Sequence, residues 1–523
     1  MPASQEAPGL IDWRGFDFYY QAKRTTLHSI SFMHKRLIIT AISLAVIGLL
    51  GWIGFSAIKS HKTEFAVGSL ALFEKVSKLL PIEPDTKKEI EVVNRLVQEL
   101  TLRDDKARVF LVLLQNNHEL RPGGGFLGQY AVVKVKNAEI ISAVVEDANL
   151  LDQRIKDADI KVTPPWPLQR YAQAKRWLLH DSNFSPDFPY NAAKAEYFYR
   201  LGGGREKFDA VVAVNADVFN HALELTGPIT VPVETFSYNA ATGTFAKSSE
   251  TKTFTSENGT LALEEAVEKK FLVNEDIDIP AEYKQNRKNV MKLIAAKMIE
   301  KLNHLDQITK LAEFAQSELR TKDIMLYFHD ETLQSLVQSV HWDGSVTTDW
   351  TGDYLMVVDA NLGALKSDYY MKRSLVYTVD FTGEKPKANV SYTYNHTATR
   401  GDWRTSDYHT YTRILAPIGS KYIDQSRRHT GGVIGQDSTD LNKTVFGYKV
   451  DALIGRELET GIEYELPETI TPDNYRLLIQ KQSGTGTIPV TVTLKTKDKE
   501  YTQSFELKKD LNIAIQTTEE QKQ

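Results

Sequence analysis

Leu37 to Ile58 (LIITAISLAVIGLLGWIGFSAI) runs for 22 residues without a charge. As a helix it spans about 33 Å, enough to cross a hydrocarbon core of about 30 Å. It is apolar on every side, which a helix packed in a soluble core rarely is. It is too long for a removable signal peptide, and no small-residue cleavage site follows it. A single transmembrane helix is therefore expected, with Trp52 near one interface. Lys23, Arg24, Lys35 and Arg36 precede the span and Lys59, Lys62, Lys75 and Lys78 follow it, so the positive-inside rule returns a tie. The Lys35-Arg36 pair abutting a lone early span favours a signal anchor. That places residues 1–36 as a cytoplasmic tail and leaves 59–523 outside the cell membrane.

The rest of the chain has the composition of a globular protein. Of its 523 residues 42% are hydrophobic and 25% charged, and the net charge is -5. This weak acidity gives no reason to expect a nucleic-acid partner. With 0 Cys there is no disulfide framework, thiol nucleophile, zinc ribbon or iron–sulfur cluster.

Apolar spacing predicts juxtamembrane helices over 59–106, broken at Pro81 and Pro84 and restarted at Asp85. From residue 107 the pattern changes. VFLVLLQ (109–115) is a continuous apolar run of strand length, as in a strand buried on both faces. YAVVKVKN (130–137), DAVVAVN (209–215) and ITVPV (229–233) read as further strands. DVFNHALELTG (217–227) reads as a helix that Gly227 and Pro228 end. Strand–helix–strand alternation predicts an α/β layer fold over 107–350. Within it 235–260 reads as a hairpin or flap, and about 283–303 as a long helix burying Val290, Ile294, Met298 and Leu302. Beyond residue 351 the apolar period switches to two, in Leu375/Tyr377/Val379, Val390/Tyr392/Tyr394, Ile462/Tyr464 and Val490/Val492/Leu494. That predicts an antiparallel β-sandwich over 351–523.

No Walker A loop, H-E-x-x-H, G-x-S-x-G or dinucleotide glycine fingerprint is present. Two segments carry the remaining chemistry. QNNHELRPGGGFLGQY (115–130) follows a buried strand. Gly123, Gly124 and Gly125 allow backbone amides to form an anion-binding nest, and Arg121 can make a bidentate contact to phosphate or carboxylate. The same residues also suit a tight connection with a surface arginine. HDSNFSPDFPYNAA (180–193) places Asp181 and Asp187 among turn residues. They suit a divalent cation, but Ser185-Pro186-Asp187 equally suits a helix cap. His221, Lys284, Arg287 and Lys288 lie on helical segments, where a structural histidine and a solvated basic face are the simpler readings.

Five separated motifs resemble one family: LLQNNHELRPGGGFLGQY, DSNFSPDFPYNAA, FDAVVAVNADVFNHALELTGPITVP, NRKNV and VVDANLGALKSDYY. They are similar to the bacterial domain-of-unknown-function family 4012 over about residues 107–360, with YTRILAPIGS (411–420) continuing into its β-rich tail. The resemblance implies a membrane-anchored cell-envelope protein and no settled activity. FDAVVAVNADVFNHALELTGPITV, LALEEAVEKKF and YKQNRKNVMKLIAAKM are more distantly similar to LytR–CpsA–Psr domains. These transfer glycopolymers from polyprenyl-pyrophosphate carriers with arginines and Mg²⁺. That similarity implies ligand-binding roles for Arg121, Asp147, Lys284 and Arg287, beside the Gly123–Gly125 nest read from the residues. A Mg²⁺ ion would then fall at Asp147, or at Asp181 from the turn segment.

This chain departs from that pattern. Glu146 stands where an arginine precedes the aspartate, and Lys269 and Lys270 stand where a paired arginine is expected. Each lost arginine removes a charge-assisted contact to pyrophosphate. The expected function is thus an extracytoplasmic envelope protein that binds a lipid-linked or anionic glycan. The alternative is a glycopolymer phosphotransferase with a reduced cationic set.

Overall fold

A computed structural model describes residues 84–514, apart from 101–103, 138, 240–241, 243, 268–289, 291–292, 295, 299, 302–307, 364, 425–429 and 474. The expected span at 37–58, and Lys269, Lys270, Lys284 and Arg287, lie outside the described residues. Among the described residues no helix is long and apolar enough to cross a membrane. The fold is mixed α/β, with the C-terminal half mostly strands.

The first sheet is organised by β1 (Ala107–Arg121). Phe110, Val112 and Leu114 enter one buried cluster, and Leu111 and Leu113 enter another. The continuous apolar run is therefore needed for two covered faces. β2 (Gly124–Lys136) pairs antiparallel with β1, and β3 (Glu139–Asp147) with β2. On the other side β4 (Ala210–Asn215) pairs parallel with β1. β5 (Ile229–Asn239) and β6 (Thr244–Phe254) form a separate hairpin, and β7 (Ile324–Phe328) pairs antiparallel with β4. The sheet order is β3-β2-β1-β4-β7.

Helices cover both faces. Helices Ala148–Asp157 and Phe188–Leu201 contribute Leu151, Ile155, Ala192 and Phe198 to one cluster. Helices Pro84–Leu100, Asp217–Thr226 and Ile308–Arg320 contribute Val92, Leu96, Phe219, Leu223 and Phe314 to the other. Helix Asp217–Thr226 stops where Gly227 adopts φ 76 and Pro228 follows, because only glycine takes that conformation cheaply and proline cannot continue the ladder. Val290, Ile294 and Met298 are helical and buried, as their spacing predicts.

One strand departs from the expected strand–helix–strand alternation. β5 does not rejoin the main sheet after the helix. Ile229, Val231 and Val233 are buried while Thr230 and Pro232 are exposed, so the strand has one apolar face and suits an outer ribbon. Helix Pro84–Leu100 belongs to the α/β layer. It packs through Val92 and Leu96, and its Glu89 takes Arg320 and Gln316 from the helix Ile308–Arg320.

The C-terminal half runs through β8 (Asp353–Asn361), β9 (Met371–Asp380), β10 (Lys387–His396), β11 (Tyr408–Pro417), β12 (Lys421–Asp424) and β13 (Thr430–Ser438). It continues through β14 (Lys443–Ala452), β15 (Glu457–Glu465), β16 (Arg476–Ile479), β17 (Ile488–Lys495), β18 (Glu500–Leu507) and β19 (Leu511–Ala514). Two six-stranded sheets result, β12-β15-β10-β9-β17-β18 and β13-β14-β11-β8-β16-β19. One apolar cluster draws on both sheets, with Tyr377, Val390, Tyr394 and Val492 from the first and Leu355, Ile414, Tyr448 and Leu477 from the second. The alternating residues singled out in the sequence are the inward ones. The sheets are not wholly antiparallel: β8 pairs parallel with β16 and β9 with β17. These partners are joined by long excursions, so no hairpin turn imposes the antiparallel sense.

Candidate functional site

β1 outruns its sheet. Gln115 still pairs with Asn215 at the carboxyl end of the parallel pair, and the chain then continues to Arg121 before turning into β2. Of the expected ligand residues, Arg121, Gly123–Gly125 and Asp181 meet at this tip. Arg121 is 5% exposed. Its Nε donates to Asp181 Oδ1 at 2.8 Å, its Nη2 to Glu119 Oε1 at 3.1 Å and its Nη1 to the Asn361 carbonyl at 2.7 Å. The other Asp181 oxygen lies 3.2 Å from His180 Nε2, and His180 Nδ1 lies 2.5 Å from Asp152. Burial works against the charge on His180, but Asp181 and Asp152 outweigh it and lift its pKa to about 9. Burial likewise disfavours the Asp181 carboxylate, yet His180 and Arg121 hold its pKa far below the usual range.

Arg121 and Asp181 do come together, but as partners of each other. The expectation that Arg121 offers its fork to a phosphate is corrected. A guanidinium this deep needs internal counter-ions, and the fold supplies two.

The glycines are filled rather than open. A Cβ on Gly123 would lie 2.3 Å from Asn191 Nδ2, and one on Gly125 2.1 Å from the Asn116 carbonyl carbon. Gly124 adopts φ 125, and its Cβ would lie 1.9 Å from Gln115 Oε1. The Gly123 and Gly125 amides donate to the Asn183 carbonyl and to Gln115 Oε1. The β16–β17 loop closes over them: Gln482 Nε2 donates to the Arg121 carbonyl at 3.0 Å and Asn117 Nδ2 to the Gly484 carbonyl at 3.2 Å. The anion nest expected of Gly123–Gly125 is thus a packed polar junction between the α/β layer and the strand-rich half.

The expected cation ligands do not fit one ion. Asp147 caps the helix Ala148–Asp157, accepting the Asn149 amide at 2.8 Å, and pairs across β3 with Gln129. Asp181 faces Arg121 and His180. Asp187 caps the helix Phe188–Leu201 through Tyr190 N and also accepts Val346 N, so the cap reading of Ser185-Pro186-Asp187 matches the geometry. A group that sequence spacing does not reveal is His221, Glu318 and Asp323, whose donor atoms lie within 4.8 Å of one another. His221 Nδ1 is 2.9 Å from Glu318, and despite burial Glu318 raises its pKa to about 9. A protonated imidazole here ties the helix Asp217–Thr226 to the helix Ile308–Arg320.

A different region is open. Between helices Trp166–Tyr171 and Phe188–Leu201 and strands β11, β13 and β14 lies a cavity of about 390 Å³. Trp177, Phe184 and Tyr411 form buried walls, and Trp166 and Tyr190 stand at its rim with 38% and 45% exposure. Pro165 and Pro167 flank Trp166 and fix the entry to its short helix, since proline pre-sets the first helical turn. The Trp166 ring meets Tyr411 edge-on, with centroids 5.2 Å apart, and Tyr171 stacks on Tyr411 at 5.7 Å. Gly447 makes this possible, because a Cβ there would lie 2.0 Å from the Tyr411 hydroxyl. Burial pushes that hydroxyl up to about 12, so it remains protonated. Arg413 lines the same cavity, its Nη2 donating to the Phe184 carbonyl at 3.0 Å.

Residues 105–248 match the family described as Protein of unknown function (DUF4012). The DUF4012 segment contains Arg121 with Glu119 and Asp181 and the Trp166, Trp177 and Tyr190 side of the cavity, and it ends before Arg413. No curated protein matches the chain. Among solved structures, one from Eubacterium siraeum, named for a proposed role as a transcription regulator, aligns at TM-score 0.24 and 10% identity. It covers 47% of this chain and 80% of its own, and at that score it carries no argument about the DUF4012 segment.

Sequence reasoning missed the cavity. Its signals were PPWP (164–167), a tryptophan held between prolines, and Arg413 inside the apolar strand pattern of YTRILAP (411–417).

Proposed function

We propose that this is a single-pass, membrane-anchored extracytoplasmic envelope protein that binds a glycan. The observation that carries the reading is the aromatic-walled cavity between the DUF4012 segment and the strand-rich half. Its volume of about 390 Å³ lies in the range of small-molecule sites, which combine apolar walls with a few placed polar groups. Flat rings at a wall and a rim, here Tyr411 and Trp166, suit the C–H faces of a pyranose, and Asp440 at the rim suits its hydroxyls. Support for the envelope comes from the uncharged 37–58 segment and from the family resemblance.

Binding is preferred to glycopolymer phosphotransfer for one reason. The cationic residue closest to that chemistry, Arg121, already spends its donors on Asp181, Glu119 and Asn361. The more remote LytR–CpsA–Psr likeness supplies the direction of the proposal, a polyprenyl-linked or cell-wall glycan, without its catalysis.

The test uses the full chain in detergent micelles. Trp166 and Trp177 report the cavity by fluorescence, and cell-wall oligosaccharides should change their emission saturably. Trp166→Ala should raise the half-saturation concentration read by the remaining tryptophans about tenfold, in keeping with loss of one aromatic contact. An unchanged response in Trp166→Ala, or none in the parent protein, would remove the reading. Protease added to spheroplasts should digest residues 59–523; their protection would place them inside.

A further inference from the structure

Arg413 lines the cavity, Lys194 packs against two of its wall residues, and among the described residues neither forms an ion pair. Arg413 is partly buried on β11. Beyond its one bond to the Phe184 carbonyl, its guanidinium lies over the Phe184 ring, 5.3 Å from the centroid, and its Nε is buried with no hydrogen-bond partner. Lys194 rises from the helix Phe188–Leu201 against three rings, its Nζ 5.0 Å from the centroid of Trp177, 5.4 Å from Tyr190 and 5.4 Å from Tyr197. Trp177 and Tyr190 are themselves cavity walls.

The contrast with the rest of the molecule gives this weight. Arg121 and Arg373 are also deep, and each has two carboxylates on its guanidinium. A partly buried cation given only one carbonyl and an aromatic face keeps part of its desolvation cost. Burial accordingly pulls Arg413 down to about 10. The carboxylates lining the cavity do not relieve it. Asp187 is taken by two backbone amides, and Asp440 is exposed at the rim.

We propose that the glycan carries an anionic group, a carboxylate or a phosphate ester, and that Arg413 holds it with Lys194 as a second, weaker contact. The planar fork of Arg413 suits either oxyanion, whereas Lys194 acts as a point charge. The proposal rests on the glycan-binding reading and narrows it to acidic sugars, with the ring of the sugar against Tyr411 and Trp166.

The full chain in micelles is titrated at low salt with three probes: trigalacturonate, glucose 1-phosphate and the neutral galactotriose. At least one acidic probe should bind tenfold or more tightly than the neutral one. The carboxylate and phosphate arms then show which oxyanion the site takes. Arg413→Gln should abolish that preference, Arg413→Lys should retain part of it, and Lys194→Gln should cost a few-fold. Circular dichroism of each variant confirms the fold, and the lysine variant keeps the test sound should the glutamine variant not fold. Equal binding of acidic and neutral probes, unchanged in Arg413→Gln, would overturn the anionic ligand and leave glycan binding standing. Absence of binding by all three probes in the parent protein would overturn both.

Discussion

Arg121 and Arg413 are both withdrawn from water beside strands at the join of the two halves, and the fold treats them in opposite ways. Arg121 meets Asp181, Glu119 and a carbonyl. Arg413 meets one carbonyl and a ring. The first is a finished internal ion network, in which removing one partner strands the others. The second is a charge whose counter-ion is not supplied by the described residues. Of the two arginines, the uncompensated, partly buried Arg413 is the better candidate for meeting a ligand, although only the compensated one sits in a motif that looks functional.

The largest effect should come from unbalancing the finished network. Arg121→Met takes the guanidinium from Asp181 and Glu119, and breaking such a buried pair typically costs about 3–5 kcal/mol. Urea unfolding of the full chain reads this directly. A loss under about 1 kcal/mol would mean the network is wetter and weaker than its burial implies.

Next comes the turn that carries Arg121. Gly124→Ala adds a Cβ 1.9 Å from Gln115 Oε1 at a backbone φ of 125. Loss of more than about 1 kcal/mol is expected, since alanine is strained at such a φ even without the clash. A neutral result would show that the turn relaxes freely.

The pH dependence of the junction sharpens the comparison. His180 is raised from 6.5 to about 9, so its stabilising contribution is complete below pH 6.5 and is lost as pH rises through 9. Asp181 is depressed, so its contribution is present above about pH 4 and fades as pH falls. Stability should therefore decline between pH 6.5 and 9, with His180 accounting for up to about 3 kcal/mol. His221, also raised to about 9, adds to the same slope. Urea midpoints at pH 6 and 9 should differ less in His180→Asn; an identical slope would show that His180 is not charged in the folded protein.

The smallest effect should be on the open side. Trp166→Ala, at 38% exposure, should cost under about 1 kcal/mol of stability while weakening sugar binding. A large loss would make Trp166 a packing residue and count against the cavity as a site.

How much of this was legible follows from the range of the interactions. VFLVLLQ declared its two buried faces, Gly227-Pro228 ended a helix, and the period-two residues of β9, β10, β15 and β17 pointed inward. All of these are local patterns. Gly123–Gly125 suited a nest or a tight connection equally, and what packs on them is Asn191, Gln115 and Asn116; nothing local to the motif names Asn191. The closing loop at Gln482 lies 361 residues from Arg121, so the sequence could not distinguish a filled turn from an open nest. The cavity was harder still, being assembled from PPWP, the 184–190 turn, Arg413 and Gly447. Only the proline-held tryptophan and the arginine within an apolar strand hinted at it.

The most direct test of the central claim is the unfolding free energy of Arg121→Met against Arg413→Met in the same buffer. The account predicts a loss of about 3–5 kcal/mol for the first and a change within about 1 kcal/mol for the second, because an apolar side chain there removes an unpaired charge. Equal losses would mean that Arg413 is as fully compensated as Arg121, and the distinction between a filled junction and an open site would be wrong.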